Sequence, residues 1–211
     1  MIRIMLVDDH SIVRTGLRGL LEDKGGFKVV AEAGDGEKAV QLAKELEIDV
    51  ILMDLQMPGL GGIEATRKII QHNSYAKIIV LTSFSENPFP KRLLDVGASG
   101  YLTKGCAAEE LLQAIKIVHS GQKFISPEIA QKIALGMMGG DESPFDALSA
   151  REMEVMMMLL QGEDNAPIAK KLSLSPKTVS TYRYRVYEKL GVQNDVGMVK
   201  LAIIHGILDN A

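Results

Sequence analysis

The chain has 211 residues, 46% of them hydrophobic, with 24 basic and 27 acidic side chains and a net charge of −3. That length suits two domains better than one. No apolar run approaches the roughly 18–20 residues of a membrane span, and a single cysteine, Cys106, excludes an internal disulfide framework. The start, Met1-Ile2-Arg3-Ile4, enters a strand directly and lacks a signal-peptide layout, so a cytoplasmic protein is expected.

Residues 1–119 alternate apolar strand-like runs with amphipathic helical stretches. Strands are expected at about 2–7, 27–32, 49–53, 77–81 and 99–102, and helices at about 11–24, 36–46, 63–72, 87–97 and 108–119. Short β/α repeats of this kind imply an α/β fold with a doubly wound, five-stranded parallel sheet. Residues 120–146 read as a linker with one helix. That helix starts at Ser126-Pro127-Glu128, with proline in the first turn, and runs to about Met138. Gly139-Gly140-Asp141-Glu142-Ser143-Pro144 then breaks the chain.

Residues 147–211 read as an all-α, four-helix domain. Ser149 and Glu152 form a capping box at the first helix, and Gly162 closes it. Pro167 opens a second helix that ends near Leu172. Ser173-Leu174-Ser175-Pro176 turns into a third helix at about 176–190, and Asn194 caps a fourth at about 195–207. Two short helices joined by a tight turn suggest a helix-turn-helix.

The charge is unevenly spread. Residues 148–211 hold 8 basic and 7 acidic side chains, whereas residues 1–147 hold 16 and 20. Within 170–189, Lys170, Lys171, Lys177, Arg183, Arg185 and Lys189 face only Glu188. Such a segment can grip phosphates, although charge alone equally describes a solvated helix face.

The strand ends carry the chemistry. Asp8 and Asp9 follow the first strand, Asp54 ends the third, Thr82 ends the fourth and Lys104 follows the fifth. In an open parallel sheet these ends share the edge where ligands bind. Asp54 is the candidate nucleophile, since a carboxylate can accept a phosphoryl group as a mixed anhydride. The charge on the phosphoryl oxygens calls for a divalent cation. Mg²⁺ takes a few carboxylates together with water and phosphate oxygens. Asp9 and Asp54 are its expected ligands, with Asp8 bound directly or through water and the Gln56 carbonyl as a further ligand. Lys104 supplies a point charge and Thr82 a hydroxyl to the phosphoryl oxygens. Any one strand-end aspartate is commonly a surface acid, but that reading does not account for polar groups at four strand ends together. Asp49 precedes a strand, belongs at the opposite edge and is given no role.

Val7-Asp8-Asp9-His10, Met53-Asp54-Leu55-Gln56-Met57-Pro58-Gly59, Leu81-Thr82-Ser83 and Gly100-Tyr101-Leu102-Thr103-Lys104 together resemble a response-regulator receiver domain. The resemblance covers about 1–119. It implies that a histidine kinase phosphorylates Asp54, that Thr82 and Ser83 lie at the phosphoryl group, and that the Tyr101 ring rotates inward on activation. One departure is Gly105, where many receivers have proline after the lysine.

Leu148-Ser149-Ala150-Arg151-Glu152, Ile168-Ala169-Lys170-Lys171-Leu172, Ser175-Pro176-Lys177-Thr178-Val179 and Lys189-Leu190-Gly191-Val192 resemble the LuxR/FixJ-type helix-turn-helix. Helical spacing puts Val179, Val186 and Leu190 in the core. Lys177, Ser180, Thr181 and Tyr184 face the major groove. Thr178, Arg183, Arg185 and Lys189 are expected on phosphates. Tyr182 either joins the groove face or packs inward. Met153, Met156, Met157 and Met158 are expected as core filler. None of His10, His72, His119 and His205 shows metal spacing.

The whole chain resembles the NarL/FixJ class of two-component response regulators, and within it the GacA/UvrY/LetA type. Asn87-Pro88-Phe89-Pro90-Lys91-Arg92, Ser143-Pro144-Phe145-Asp146 and Thr181-Tyr182-Arg183-Tyr184-Arg185 carry that closer match. The resemblance implies a BarA/GacS-type sensor kinase as phosphodonor and promoters of small regulatory RNAs of a CsrA-type circuit. It also implies double-stranded DNA as ligand and a homodimer when phosphorylated. Two other readings stand beside it. One is a Mg²⁺-dependent phosphohydrolase, disfavoured by Gln56 where a second acid would stand. The other is a phosphorylation-independent DNA-binding protein, disfavoured by the intact acidic set.

Overall fold

The computed structural model describes residues 1–55, 57–82, 96–127, 129–131, 144–205 and 207–208. These residues fall into two compact units. The first is built on a parallel sheet of β1 (Ile2–Val7), β2 (Phe27–Ala33), β3 (Val50–Asp54), β4 (Ile78–Thr82), β5 (Gly100–Thr103) and β6 (Phe124–Ile125). Their order is β2-β1-β3-β4-β5-β6. The sheet thus has six strands, not five. β6 pairs Phe124 with Gly100 and Ile125 with Tyr101. A two-residue strand is too short to show any alternation, so the sequence pattern misses it. The α/β unit therefore carries sheet residues beyond position 119.

Both faces of the sheet are covered, which is why its central strands β3 and β4 read as near-continuous apolar runs. Successive residues of β1 point to opposite sides. Ile4 and Leu6 join a core with Leu21 of α1 (Ser11–Asp23) and Leu111, Ile115 and Val118 of α4 (Ala108–His119). Met5 and Val7 join another with Ala39 of α2 (Gly36–Glu45) and Ala65 and Ile69 of α3 (Gly62–His72). The helix expected at about 87–97 lies almost wholly outside the described residues. Past the sheet, Ala130 N–H donates to the Ser126 carbonyl at 2.9 Å, as a helix starting at Ser126-Pro127 requires. The expected continuation to Met138 and the glycine linker lie outside the described residues.

The second unit holds a 3₁₀ turn at Pro144–Ala147 and four helices: α5 (Ala150–Leu160), α6 (Asn165–Lys171), α7 (Pro176–Leu190) and α8 (Asp195–Ile204). The Ser149–Glu152 capping box is present, with Glu152 accepting from Ser149 N–H at 2.6 Å. α6 begins two residues before Pro167. Proline still sits in the first turn, where its missing N–H has no intrahelical acceptor to lose. Val179, Val186 and Leu190 are buried, as are Met153, Met156, Met157 and Met158.

Candidate functional site

The topology creates the first site. From β1 the chain steps to β2 on one side and then to β3 on the other, so the C-terminal ends of β1 and β3 flank a switch point. Register puts Val7 opposite Met53, Asp54 opposite Leu81 and Thr82 opposite Thr103. Asp8, Asp9, Asp54, Lys104 and the Thr82 backbone therefore share one edge. Gln56, Ser83 and the Thr82 side chain lie outside the described parts of the structure.

The pocket is a compact charge cluster. Asp54 is only 3% exposed and Asp8 is equally buried. Ligand atoms of Asp8, Asp9, His10 and Asp54 all lie within 4.8 Å of one another. Lys104 Nζ reaches Asp8 at 2.8 Å and Asp54 at 2.9 Å. Burial alone would push the Lys104 amine down, but its hydrogen bonds to Asp8 and Asp54 outweigh this and raise it. Three carboxylates against one ammonium leave a net negative pocket. Hard oxygen donors in this number suit Mg²⁺, so the donor set fits the expected cation. His10 borders the cluster, as its place after Asp9 in the sequence requires. Its N–H donates to Asp8 at 2.8 Å, and its ring Nδ1 lies 2.8 Å from Asp9.

Four further residues hold the pocket in shape. Arg14 on α1 donates to the Asp8 carbonyl at 2.6 Å and is braced by Glu32 of β2 at 3.0 Å. Hydrogen bonds from Arg18 and Arg14 hold the Glu32 carboxyl below its usual range against the cost of burial. Glu37 of α2 accepts the Leu60 N–H at 3.0 Å and so pins the loop after β3. Gly62 is required next to Asp54, because a Cβ there would lie 1.9 Å from the Asp54 carbonyl oxygen. In the sequence, Arg14, Glu32 and Glu37 look like ordinary solvated charges, and only the fold reveals their partners.

Tyr101, the expected switch aromatic, is 1% exposed. The described chain contains no cis peptide, so the Lys104–Gly105 bond is trans. Asp49 lies at the opposite edge as expected, where it binds Arg3 through the backbone N–H at 2.7 Å and the guanidinium at 2.9 Å.

The second site is α7. Ser175 caps it by accepting from Thr178 N–H at 3.0 Å, and Pro176 opens it. Lys177, Thr181, Tyr184 and Arg185 are exposed, and Thr178, Ser180 and Tyr182 are half-buried. Two of the expected phosphate contacts have internal partners. Lys189 Nζ bonds Glu152 at 2.6 Å. Arg183 pairs with Asp195, the first residue of α8. The Leu148-Ser149-Ala150-Arg151-Glu152 motif has its physical explanation in these contacts. Ser149 and Glu152 cap α5, Glu152 also holds Lys189, and Arg151 donates to the Leu172 carbonyl at 2.7 Å and closes α6.

Comparison with known proteins matches each unit to a family. Residues 4–116 match the response regulator receiver domain family, and residues 146–202 match the bacterial regulatory proteins, luxR family. The chain is 48% identical to response regulator GacA of Pseudomonas aeruginosa over 213 residues, covering 100% of each chain. It is 49% identical to response regulator UvrY of Escherichia coli K12 over 209 residues, covering 98% of this chain and 96% of that one. RcsB from Salmonella enterica serovar Typhimurium, bound to a promoter in the presence of phosphomimetic BeF3-, superposes with a TM-score of 0.67 at 29% identity. That match covers 95% of this chain and 97% of the other. A LuxR-family two-component response regulator from Aurantimonas gives a TM-score of 0.62 at 47% identity, over 64% of this chain and 97% of that one.

Proposed function

The chain belongs to the two-component response regulators with a LuxR-type DNA-binding domain, and we propose that phosphorylation of Asp54 switches its grip on promoter DNA. The observation that carries this reading is the buried Asp54 carboxylate, 2.9 Å from Lys104 and clustered with Asp8 and Asp9. A carboxylate oxygen of Asp54 attacks the phosphorus of a phosphohistidine on a sensor kinase. The O–P bond forms as the P–N bond breaks, and the electron pair leaves with the imidazole, which takes a proton from solvent. Asp8, Asp9 and Asp54 would hold a Mg²⁺ that supplies positive charge to the transferring phosphoryl oxygens. Lys104 exchanges one carboxylate for a phosphoryl oxygen, and the Thr82 hydroxyl takes another.

Each chain is phosphorylated once and turns over no external substrate. The phosphorylated population then favours a homodimer, joined through α8, that places two copies of α7 on paired half-sites. Closeness to GacA and UvrY supports a BarA/GacS-type hybrid kinase as donor and promoters of small RNAs of a CsrA-type circuit as targets. Activation there would govern virulence or life-cycle genes. The cytoplasm is the expected site of action. Among the described residues no helix is long and apolar enough to cross a membrane. Intact mass after incubation with Mg²⁺ and acetyl phosphate tests the chemistry. One added phosphoryl group on the native chain and none on Asp54→Asn is expected. Turnover of free phosphate ester without a stable adduct would favour the hydrolase instead.

A further inference from the structure

A charged cluster joins α7 to the two helices that flank it. Arg183 Nε donates to the Tyr187 hydroxyl at 2.6 Å and to Asp195 at 3.2 Å, and its terminal nitrogen forms an ion pair with the other Asp195 oxygen. The Tyr187 hydroxyl in turn donates to Asp195 at 2.5 Å. Arg183 also donates to the Asn165 side-chain carbonyl at 3.3 Å, and the Asn165 amide donates to Ser180 at 2.9 Å. One cluster thus ties together the first residue of α6, the middle of α7 and the first residue of α8. Its hydroxyl and carboxylate are satisfied in a half-buried setting, where hydrogen bonds to charged groups are stronger than on an open surface.

The cluster leads to the DNA-facing side through one ring. Tyr187 is buried, and the Tyr184 ring meets it edge-to-face with centroids 6.2 Å apart at 87°. Tyr184 itself is 71% exposed on the face with Lys177, Thr181 and Arg185. An exposed aromatic held by a fixed neighbour is preorganised for a groove.

We propose that Arg183, Tyr187 and Asp195 are positioning residues that lock the angle of α7 and the orientation of Tyr184, with Tyr184 touching the bases and Arg183 touching no phosphate. The proposal rests on the reading of α7 as the DNA-facing helix. It inverts two naive expectations. Arg183 is basic, yet removing it leaves the number of phosphate contacts unchanged. Asp195 is acidic, yet removing its charge near DNA weakens specific binding.

The experiment uses the full chain with Asp195→Asn, Arg183→Ala and Tyr187→Phe, the last removing one hydroxyl and keeping the core packed. Binding is measured to a mixed-sequence duplex across a salt series and to a duplex selected from a random library by the native chain. Melting midpoints are recorded in parallel. The expected result is a loss of about 10-fold in affinity for the selected duplex with Asp195→Asn and a smaller loss with Tyr187→Phe. The salt slope on the mixed duplex stays at the native value for all three variants. A slope reduced by about 0.9 in Arg183→Ala, the signature of one lost phosphate contact, would overturn the proposal. So would Asp195→Asn binding the selected duplex as tightly as the native chain or more tightly. A native chain that binds neither duplex takes down the DNA-facing reading of α7 and the proposal with it.

Discussion

The two units put their charges to opposite use. In the α/β unit, the site charges are crowded at the end of a sheet, with Asp8 and Asp54 buried, Lys104 half-buried between them and Asp9 exposed at the rim. In the helical unit, the buried or half-buried charges are engaged in ion pairs, and the exposed basic residues of α7 other than Lys189, which pairs with Glu152, are Lys177 and Arg185. A pocket proposed to bind a cation and a phosphoryl group needs unbalanced charge kept away from water, where electrostatics is strong. A helix that binds DNA needs charge in water, free to replace counterions. Burial therefore marks a functional charge in one unit and a structural charge in the other.

The largest effect should come from the charge that belongs to both classes, half-buried and functional. Lys104→Ala is expected to slow phosphorylation of Asp54 by about 100-fold, read as the rate of adduct formation with acetyl phosphate. A change below about threefold would place Lys104 with the structural charges, on the scale of an exposed pair. Mg²⁺ provides the next test. At 100 times its dissociation constant it should stabilise the native chain by about 2.7 kcal/mol, and removing it with a chelator should return the melting curve to the metal-free one. Asp54→Asn should lose most of that gain. Equal stabilisation of both chains would mean the cation binds elsewhere.

The opposite edge of the sheet sharpens the contrast, because Asp49 is a charged residue with a structural partner only. Asp49→Asn is expected to lower the melting midpoint by about 2–4 °C at pH 7 and to leave phosphorylation unchanged. Hydrogen bonds from Arg3 hold the Asp49 carboxyl at about 2, against an ordinary 3.8. A depressed carboxylate stabilises above its unfolded value and loses that contribution as pH falls. The difference between native and variant should therefore shrink between pH 4 and pH 2, the window set by those two values. The smallest effects belong to α7. Lys177→Ala and Arg185→Ala should each reduce the salt slope of DNA binding by about 0.9, whereas Lys189→Ala, already neutralised by Glu152, should change it less.

The same contrast explains what could be read from the sequence. The acidic pocket was legible because its residues sit at strand ends, and the alternation of strands and helices fixes where those ends meet. Asp8, Asp9, Asp54 and Lys104 converge as their spacing requires. The residues that support them were not legible. Arg14 and Glu37 find the Asp8 carbonyl and the Leu60 amide only after helices and loops close over the sheet, and nothing local marks them. β6 was missed because two residues carry no period. On α7, helical spacing correctly placed Val179, Val186 and Leu190 inside. It could not tell Arg183 from Arg185, because the difference lies in Asp195, which sits on another helix.

The most direct test of the central claim is DNA affinity of the full chain with and without a phosphoryl mimic. Binding to a duplex selected by the native chain would be measured with Mg²⁺ alone and with Mg²⁺ and beryllofluoride, in parallel with Asp54→Asn. Tighter binding by the native chain with beryllofluoride, and no response from Asp54→Asn, is the predicted result. Identical affinity in both conditions, with the beryllofluoride adduct demonstrably formed on Asp54, would contradict a phosphorylation switch.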